Sequence, residues 1–221
     1  MSDQGKPTKP AGIFFPVIDN GMGFGRTPWA ISLAILFGSG LLEGRRIVVQ
    51  AYSYPYPDGA MNVATRDFLN EESVDEMFII DTDIEFTPLH VKMILEHDVP
   101  LVAGMYPMRG TPVRWPIQTL DNGDNPLLAS KNGELLCEVK CCARGFMRIK
   151  KEVFKDLQPH VERFVQPDSQ TEAFLFWLNM PGGHSEDFRL CNLYREHGGK
   201  VYVDRRVRLK HHGWAVYDGA A

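Results

Sequence analysis

Apolar residues along this chain fall into short runs of strand length, separated by segments with helical spacing. Ile13-Phe-Phe-Pro-Val17 predicts a first strand, Arg46-Ile-Val-Val-Gln-Ala51 a second, and Met77-Phe-Ile-Ile-Asp81 a third. Pro100-Leu-Val-Ala-Gly-Met105 predicts a fourth. Thr27 suits a helix cap, Pro28 the first helical position and Gly44 the residue past the end, so the spacing predicts a helix over 28–43. Met61 to Asn70 carries Val63, Ala64, Phe68 and Leu69 on one side of a short helix. Thr87-Pro88 opens another by the same cap-plus-proline signature, ending near His97. Strands alternating with helices at this rhythm predict βαβ units, an α/β class and a mostly parallel sheet flanked by helices.

The second half is less regular. Residues 107–134, rich in Pro, Gly, Asn and Asp, suit a long loop or hairpin region. Strands are expected over Leu135–Cys142 and Gly145–Ile149, with a short helix from Lys150. Residues 158–184, which include Phe174, Phe176 and Trp177, fit helix and strand templates equally. Ser185 caps a helix to His197, stopped by Gly198-Gly199. Lys200–Asp204 and Val207–His212 read as two final strands.

At 221 residues the chain has ample length for one full core, with residues 1–11 as a disordered leader and 12–221 as one domain. Residues 12–110 and 111–221 would form its two halves. A net charge of −4 excludes a global basic field for nucleic acid. The leader has no apolar core, so it does not read as a signal peptide. The run Ile31–Leu42 is too short to span a bilayer and is broken by Gly38 and Gly40. The expectation is a soluble, cytoplasmic protein with no membrane partner. Four cysteines (Cys137, Cys141, Cys142 and Cys191) fit no zinc template and read as reduced, small apolar residues.

Three groups could carry chemistry. Asp81 and Asp83 stand i, i+2 at the end of an apolar strand, where open α/β sheets bind ligands, and a carboxylate pair there suits a hard divalent cation. Glu186 and Asp187 begin a helix, where acids also complement the helix dipole; the functional alternative is a general base, with Gly182-Gly183 leaving room for substrate. His211 and His212 follow the last strand. If Val207 and Leu209 face the core, alternation turns His211 inward and His212 outward, which favours His211 as a ligand.

The ordered set is more specific than its parts. Strand-Asp81-Thr-Asp83, then Ala143-Arg-Gly145-Phe-Met-Arg-Ile-Lys-Lys-Glu-Val-Phe154, then Glu186-Asp187 on a helix, then a late His-x-Gly resembles the GT-A glycosyltransferases. The family-2-like soluble branch, with its small bacterial and phage members, is the nearest pattern. The likeness runs over residues 13–217 by motif order. It implies a GT-A (Rossmann-like) fold with a small antiparallel acceptor-side portion. It also implies a nucleoside-diphosphate sugar donor, a UDP-sugar favoured, and Mn²⁺ or Mg²⁺ as cofactor. By the same resemblance Asp83 and His211 would bind the metal, and Asp81 would contact the ribose or the metal's waters. Arg66 and Arg109 would contact diphosphate or sugar, Asp19 and the loop 20–25 would lie near the nucleotide, and Asp187, or Glu186 as second choice, would take the proton from an acceptor hydroxyl with inversion.

The Gly-rich Asn20–Gly25 loop departs from the family's usual acidic base-reading loop, and Gly21-x-Gly23-x-Gly25 is not a dinucleotide fingerprint. The acceptor stays open between a saccharide and, given the basic run Arg205–His212 with Trp214, Trp115, Arg114, Lys150 and Lys151, DNA carrying a hydroxylated base. Nucleotidyl transfer to a sugar phosphate and a non-catalytic nucleotide-sugar-binding module are the rival functions.

Overall fold

The computed structural model describes residues 10–19, 26–53, 56–123, 134–166, 171–179 and 185–219. In chain order its elements are β1 (Ile13–Asp19), α1 (Arg26–Gly38), β2 (Ile47–Ser53), α2 (Pro57–Asn70), β3 (Glu76–Ile80), β4 (Ile84–Glu85), α3 (Pro88–Leu95) and β5 (Leu101–Met105). Then come β6 (Ile117–Thr119), β7 (Leu136–Cys142), β8 (Phe146–Lys150), α4 (Lys151–Leu157), β9 (Arg163–Gln166) and β10 (Thr171–Phe174). The chain closes with α5 (Glu186–Glu196), β11 (Val201–Arg208), β12 (Lys210–His212) and β13 (Val216–Asp218).

Eight strands form the central sheet in the order β2-β1-β3-β8-β5-β11-β7-β6. β1 is parallel to β2 and β3, and β5 to β11. β8 runs against β3 and β5, and β7 runs against β11 and β6. Six strands therefore point one way and two oppose them, the mostly parallel α/β sheet that the sequence predicts. β3 and β5 are buried along their whole length, which is why they read as continuous apolar runs.

Alternation along the strands builds two cores, one on each sheet face. Phe14, Met77, Ile79, Ala103, Met147 and Val203 pack with α2, α4 and α5. Ile13, Phe15, Phe78, Ile80, Val102, Phe146 and Val207 pack with α1 and α3. All four cysteines are free and buried, as the sequence implies.

Several boundaries differ from expectation. α1 stops at Gly38 rather than at 43: the Ser39 hydroxyl donates to Leu36 O, and Gly40 takes a left-handed φ of 74°. The two expected final strands are continuous through 201–208. Asp204 interrupts the apolar pattern without ending the strand, because its buried carboxylate is held by His97 at 2.7 Å and Arg206 at 2.6 Å. The unassigned 158–184 region contains the β9–β10 hairpin, after which the Trp177 indole N–H donates to Thr65 inside the core. Within the expected 107–134 loop or hairpin region, Ile117–Thr119 forms β6 and pairs antiparallel with β7.

A second, three-stranded sheet in the order β13-β12-β4 positions the site. Its register sets His211 opposite Ile84 and Lys210 opposite Glu85, so the late histidines lie beside the strand that follows Asp83. Among the described residues, no helix is long and apolar enough to cross a membrane.

Candidate active site

The parallel strands β1, β3, β5 and β11 bring their carboxyl ends to one edge of the sheet. Asp81 follows β3 directly, and Tyr106 to Arg109 leave β5. Because β8 is antiparallel, the residues before it, Arg144 and Gly145, reach the same edge, and the Asp81 N–H donates to Gly145 O at 2.9 Å. An Asp81-Thr82-Asp83 turn then feeds β4, closed by the Ile84 N–H on Asp81 O at 3.0 Å.

Asp83 is buried and His211 lies against it, with Nε2 at 3.4 Å from Asp83 Oδ2. The His212 N–H donates to Asp83 O at 2.8 Å, a main-chain bond that fixes β12 on this turn. His211 Nδ1 faces Pro107 O at 2.9 Å, and a carbonyl oxygen accepts only, so Nδ1 carries the proton. In the neutral ring Nε2 is then a bare lone pair directed at a carboxylate. One nitrogen and one hard oxygen 3.4 Å apart fit a divalent cation such as Mn²⁺ or Mg²⁺. No group of three or more His, Cys, Asp or Glu converges among the described residues, so water and substrate oxygens would supply the remaining positions. Tyr106 sets its ring edge-on to His211, centroids 5.3 Å apart. His212 points elsewhere, to Glu85 Oε2 at 2.9 Å. Alternation therefore identified the histidine that approaches Asp83.

Arg109 donates from Nη2 to Asp83 Oδ2 and from Nε to His212 O at 3.0 Å. It belongs to the same cluster, with its guanidinium on the carboxylate.

Asp81 turns the other way. Its Oδ1 accepts from Arg144 Nη1 at 2.6 Å, and the same guanidinium donates from Nε to Glu186 Oε1 at 3.2 Å. The Arg144 main-chain N–H donates to Asp187 Oδ2 at 3.2 Å. Arg144 thus joins the strand-end acid to both acids of α5. It is buried, and the surrounding acids hold its guanidinium firmly protonated despite that burial. The sequence signal for this role is a cation set between Cys141-Cys142-Ala143 and Gly145-Phe146-Met147; a charge in such apolar company needs a partner.

Asp187 is 8% exposed. Burial raises its pKa above the ordinary aspartate range, Ser185 and Arg144 pull it down, and Glu186 pushes it further up. Its Oδ1 accepts from the Ser185 hydroxyl and from the Phe188 N–H at 2.8 Å. Oδ2, with one long hydrogen bond, keeps capacity for a proton. Burial likewise raises Asp81, with Arg144 opposing and Asp83 and Glu186 adding to the rise. Asp187 lines a cleft of about 540 Å³ whose walls include Met108, Trp115, Ile117 and Phe188. Gln118 and Asn122 supply amides there. Glu186 is not among the lining residues, which favours Asp187 as the acid that meets a ligand.

Other expected residues lie apart. Arg66 is paired with Asp67 at 2.7 Å and borders a different pocket with Gln158 and Glu172. The Asp19 side chain, the loop 20–25 and Gly182-Gly183 fall outside the described residues. Of the basic run, Arg206 is held by Asp204 and Lys210 by Glu85, while Lys150 is held by Asp98. Trp115 is buried and Trp214 is 91% exposed.

No family model and no curated protein matches this sequence. Solved structures do. A197 from STIV superposes with a TM-score of 0.54 at 16% identity, over 90% of this chain and 85% of that one. GalNAc-T7, solved with UDP, GalNAc and Mn²⁺, superposes with a TM-score of 0.52 at 10% identity, over 89% of this chain. The match spans 43% of the GalNAc-T7 chain. At these identities the likeness establishes the architecture, and this chain has a GT-A-like fold.

Proposed function

We propose that this chain is a metal-assisted glycosyltransferase that moves a sugar from a nucleoside-diphosphate sugar to the hydroxyl of a small acceptor. One observation carries this reading: Asp83 with His211, and Asp187 with its cleft, stand at one edge of the sheet and are joined through Arg144 and Asp81. Asp83 and His211 would hold the cation, which would supply Lewis acidity to the departing diphosphate. Asp81, at the same edge, would contact the nucleotide's ribose or the metal's waters. Asp187 Oδ2 accepts the acceptor's proton as the acceptor oxygen bonds to the anomeric carbon and the bond from that carbon to the diphosphate breaks. A positioned base of this kind contributes about 10²–10⁴-fold. Attack from the base's side, opposite the leaving group, inverts the anomeric centre; a product with the donor's configuration would remove Asp187 from that role.

The cleft's apolar wall and its two amides suit the flat face and hydroxyls of a saccharide ring. DNA is less favoured, because Arg206 and Lys210 of the basic run are already paired with Asp204 and Glu85.

Isothermal calorimetry with UDP, GDP, CDP and ADP, each with Mn²⁺ and again with EDTA, tests the reading. GalNAc-T7 holds UDP and Mn²⁺, which makes UDP the first ligand to try. Binding of one diphosphate in Mn²⁺ and its loss in EDTA is the expected result. No binding by any of the four overturns the transferase, and release of pyrophosphate from a nucleoside triphosphate and a sugar phosphate would reassign the chain to nucleotidyl transfer.

A further inference from the structure

Arg109 is an expected diphosphate contact, yet its guanidinium rests on the carboxylate assigned to the cation. Its Nη2 donates to Asp83 Oδ2, the same oxygen that faces His211 Nε2 at 3.4 Å. The seat is a built one. Arg109 Nε donates to His212 O at 3.0 Å, so the β12 backbone holds the guanidinium from a second side. The chain beside it is Gly213, where a Cβ would come within 2.9 Å of Arg109 Cδ and 3.0 Å of Nε. A residue without a side chain at 213 is what lets the arginine stem lie there. The side chain is 27% exposed, so it is not locked in the core and has a path to solvent.

A cation bridging Asp83 Oδ2 and His211 Nε2 would stand next to this guanidinium, on a carboxylate oxygen that both require. Two positive charges on one buried oxygen repel, and Arg109 is the partner on a flexible stem. We propose that Arg109 is an exchangeable counter-ion: it neutralises Asp83 before the metal binds, leaves when the metal arrives, and is thereby freed towards the diphosphate that accompanies the metal. The inference rests on the metal role given to Asp83 and His211 above. It adds that metal affinity is held down by this chain's own arginine, so that cation and donor bind together more readily than the cation alone.

The test uses Mn²⁺ alone, without nucleotide, read by the loss of the free-Mn²⁺ electron paramagnetic resonance signal on titration. Arg109→Met keeps the stem and removes the charge; Arg109→Lys keeps the charge. Gly213→Ala crowds the stem out of its seat without touching the charge. A competing charge-assisted bond is expected to weaken Mn²⁺ binding about tenfold or more. Arg109→Met should therefore bind Mn²⁺ at least about tenfold more tightly than wild type, with Arg109→Lys close to wild type and Gly213→Ala between them. Adding Asp83→Asn to Arg109→Met should abolish the gain. Equal or weaker binding by Arg109→Met, with wild-type binding still lost in Asp83→Asn, overturns the exchange and leaves the metal site standing. Absence of Mn²⁺ binding in every variant overturns both. If Arg109→Met does not fold by circular dichroism, Gly213→Ala decides: tighter binding supports the exchange and unchanged binding refutes it.

Discussion

Replacing Arg144 by Met keeps most of the side chain's volume and deletes the charge that joins the two sides of the candidate site. The guanidinium, 8% exposed, lies 2.6 Å from Asp81 and 3.2 Å from Glu186, and the residue's N–H holds Asp187. Removing one partner of a buried ion pair costs about 3–5 kcal/mol, because the remaining charge stays buried without compensation. Asp81 is 27% exposed and water screens part of its charge, so about 3 kcal/mol, the lower end, is the expected loss at pH 8. The orphaned acids respond by holding protons to higher pH. Burial already raises Asp81 and Asp187, with Arg144 pulling against it in both, so deleting the guanidinium moves both further up. A carboxylate whose folded pKa lies above its unfolded value favours the fold at low pH and loses that contribution as pH rises through the folded pKa. The deficit of Arg144→Met relative to wild type should therefore shrink on acidification from pH 8 to pH 5, by about 1.4 kcal/mol for each pH unit of added upward shift. Urea unfolding of both proteins at the two pH values measures it. A deficit that is the same at pH 5 and pH 8, or below about 1 kcal/mol at pH 8, refutes the reasoning. Arg144→Lys should recover part of the loss, since it restores the charge but not the fork that reaches two acids at once.

Asp187→Asn is nearly isosteric; it should leave Mn²⁺-dependent diphosphate affinity within about twofold and lower turnover, read as nucleoside diphosphate release, at least about 10²-fold. The acid limb of the wild-type rate profile should lie above the ordinary aspartate value of about 3.9, since the base must be ionised and burial raises its pKa; a limb at or below that value contradicts the assignment. Gly145→Ala places a Cβ 2.7 Å from the Tyr106 ring, which packs edge-on to His211, so about 1–3 kcal/mol of stability and some Mn²⁺ affinity should be lost. A wild-type melting temperature for that variant would show that the contact is not tight. The four thiols are buried, and burial pushes Cys141 up to about 12, so native protein at pH 8 should resist alkylation while urea-unfolded protein takes up four equivalents by mass spectrometry.

The elements that sequence located well are those where one physical signal acts alone. β3 and β5 are continuous apolar runs because both sheet faces bury them, and α3 starts where Thr87 and Pro88 put it. His211 was separable from His212 because a strand end keeps period-2 alternation, and Val207 and Leu209 fix the phase. Where two signals compete, the boundary moved. The Asp204-Arg205-Arg206 stretch looks like a break, but Asp204 is held by His97 and Arg206, Arg205 Nη1 donates to Glu134 O, and β11 runs through them. The apolar periodicity of α1 continues past Gly38, yet Ser39 and Gly40 end the helix locally.

Partner choice was far less legible than residue role. Arg109 and Asp83 are separated by 26 positions, Arg144 and Asp81 by 63, and Arg144 and Glu186 by 42, and nothing in local pattern says which cation meets which acid. That choice is made by topology. β8 enters antiparallel between β3 and β5, which turns the residues before it, Arg144 and Gly145, towards the carboxyl ends of its neighbours. Had β8 run parallel, its last residue would stand there instead, and the three acids would face one another without a counter-charge. One reversed strand in the sheet therefore supplies the cation, and with it a physical link between the two halves of the site: a charge arriving beside Asp81 acts on the guanidinium that also holds Glu186, and the same residue's N–H holds Asp187. If the proposed roles hold, donor binding beside Asp81 and the protonation of Asp187 would be coupled through a single side chain and its own backbone.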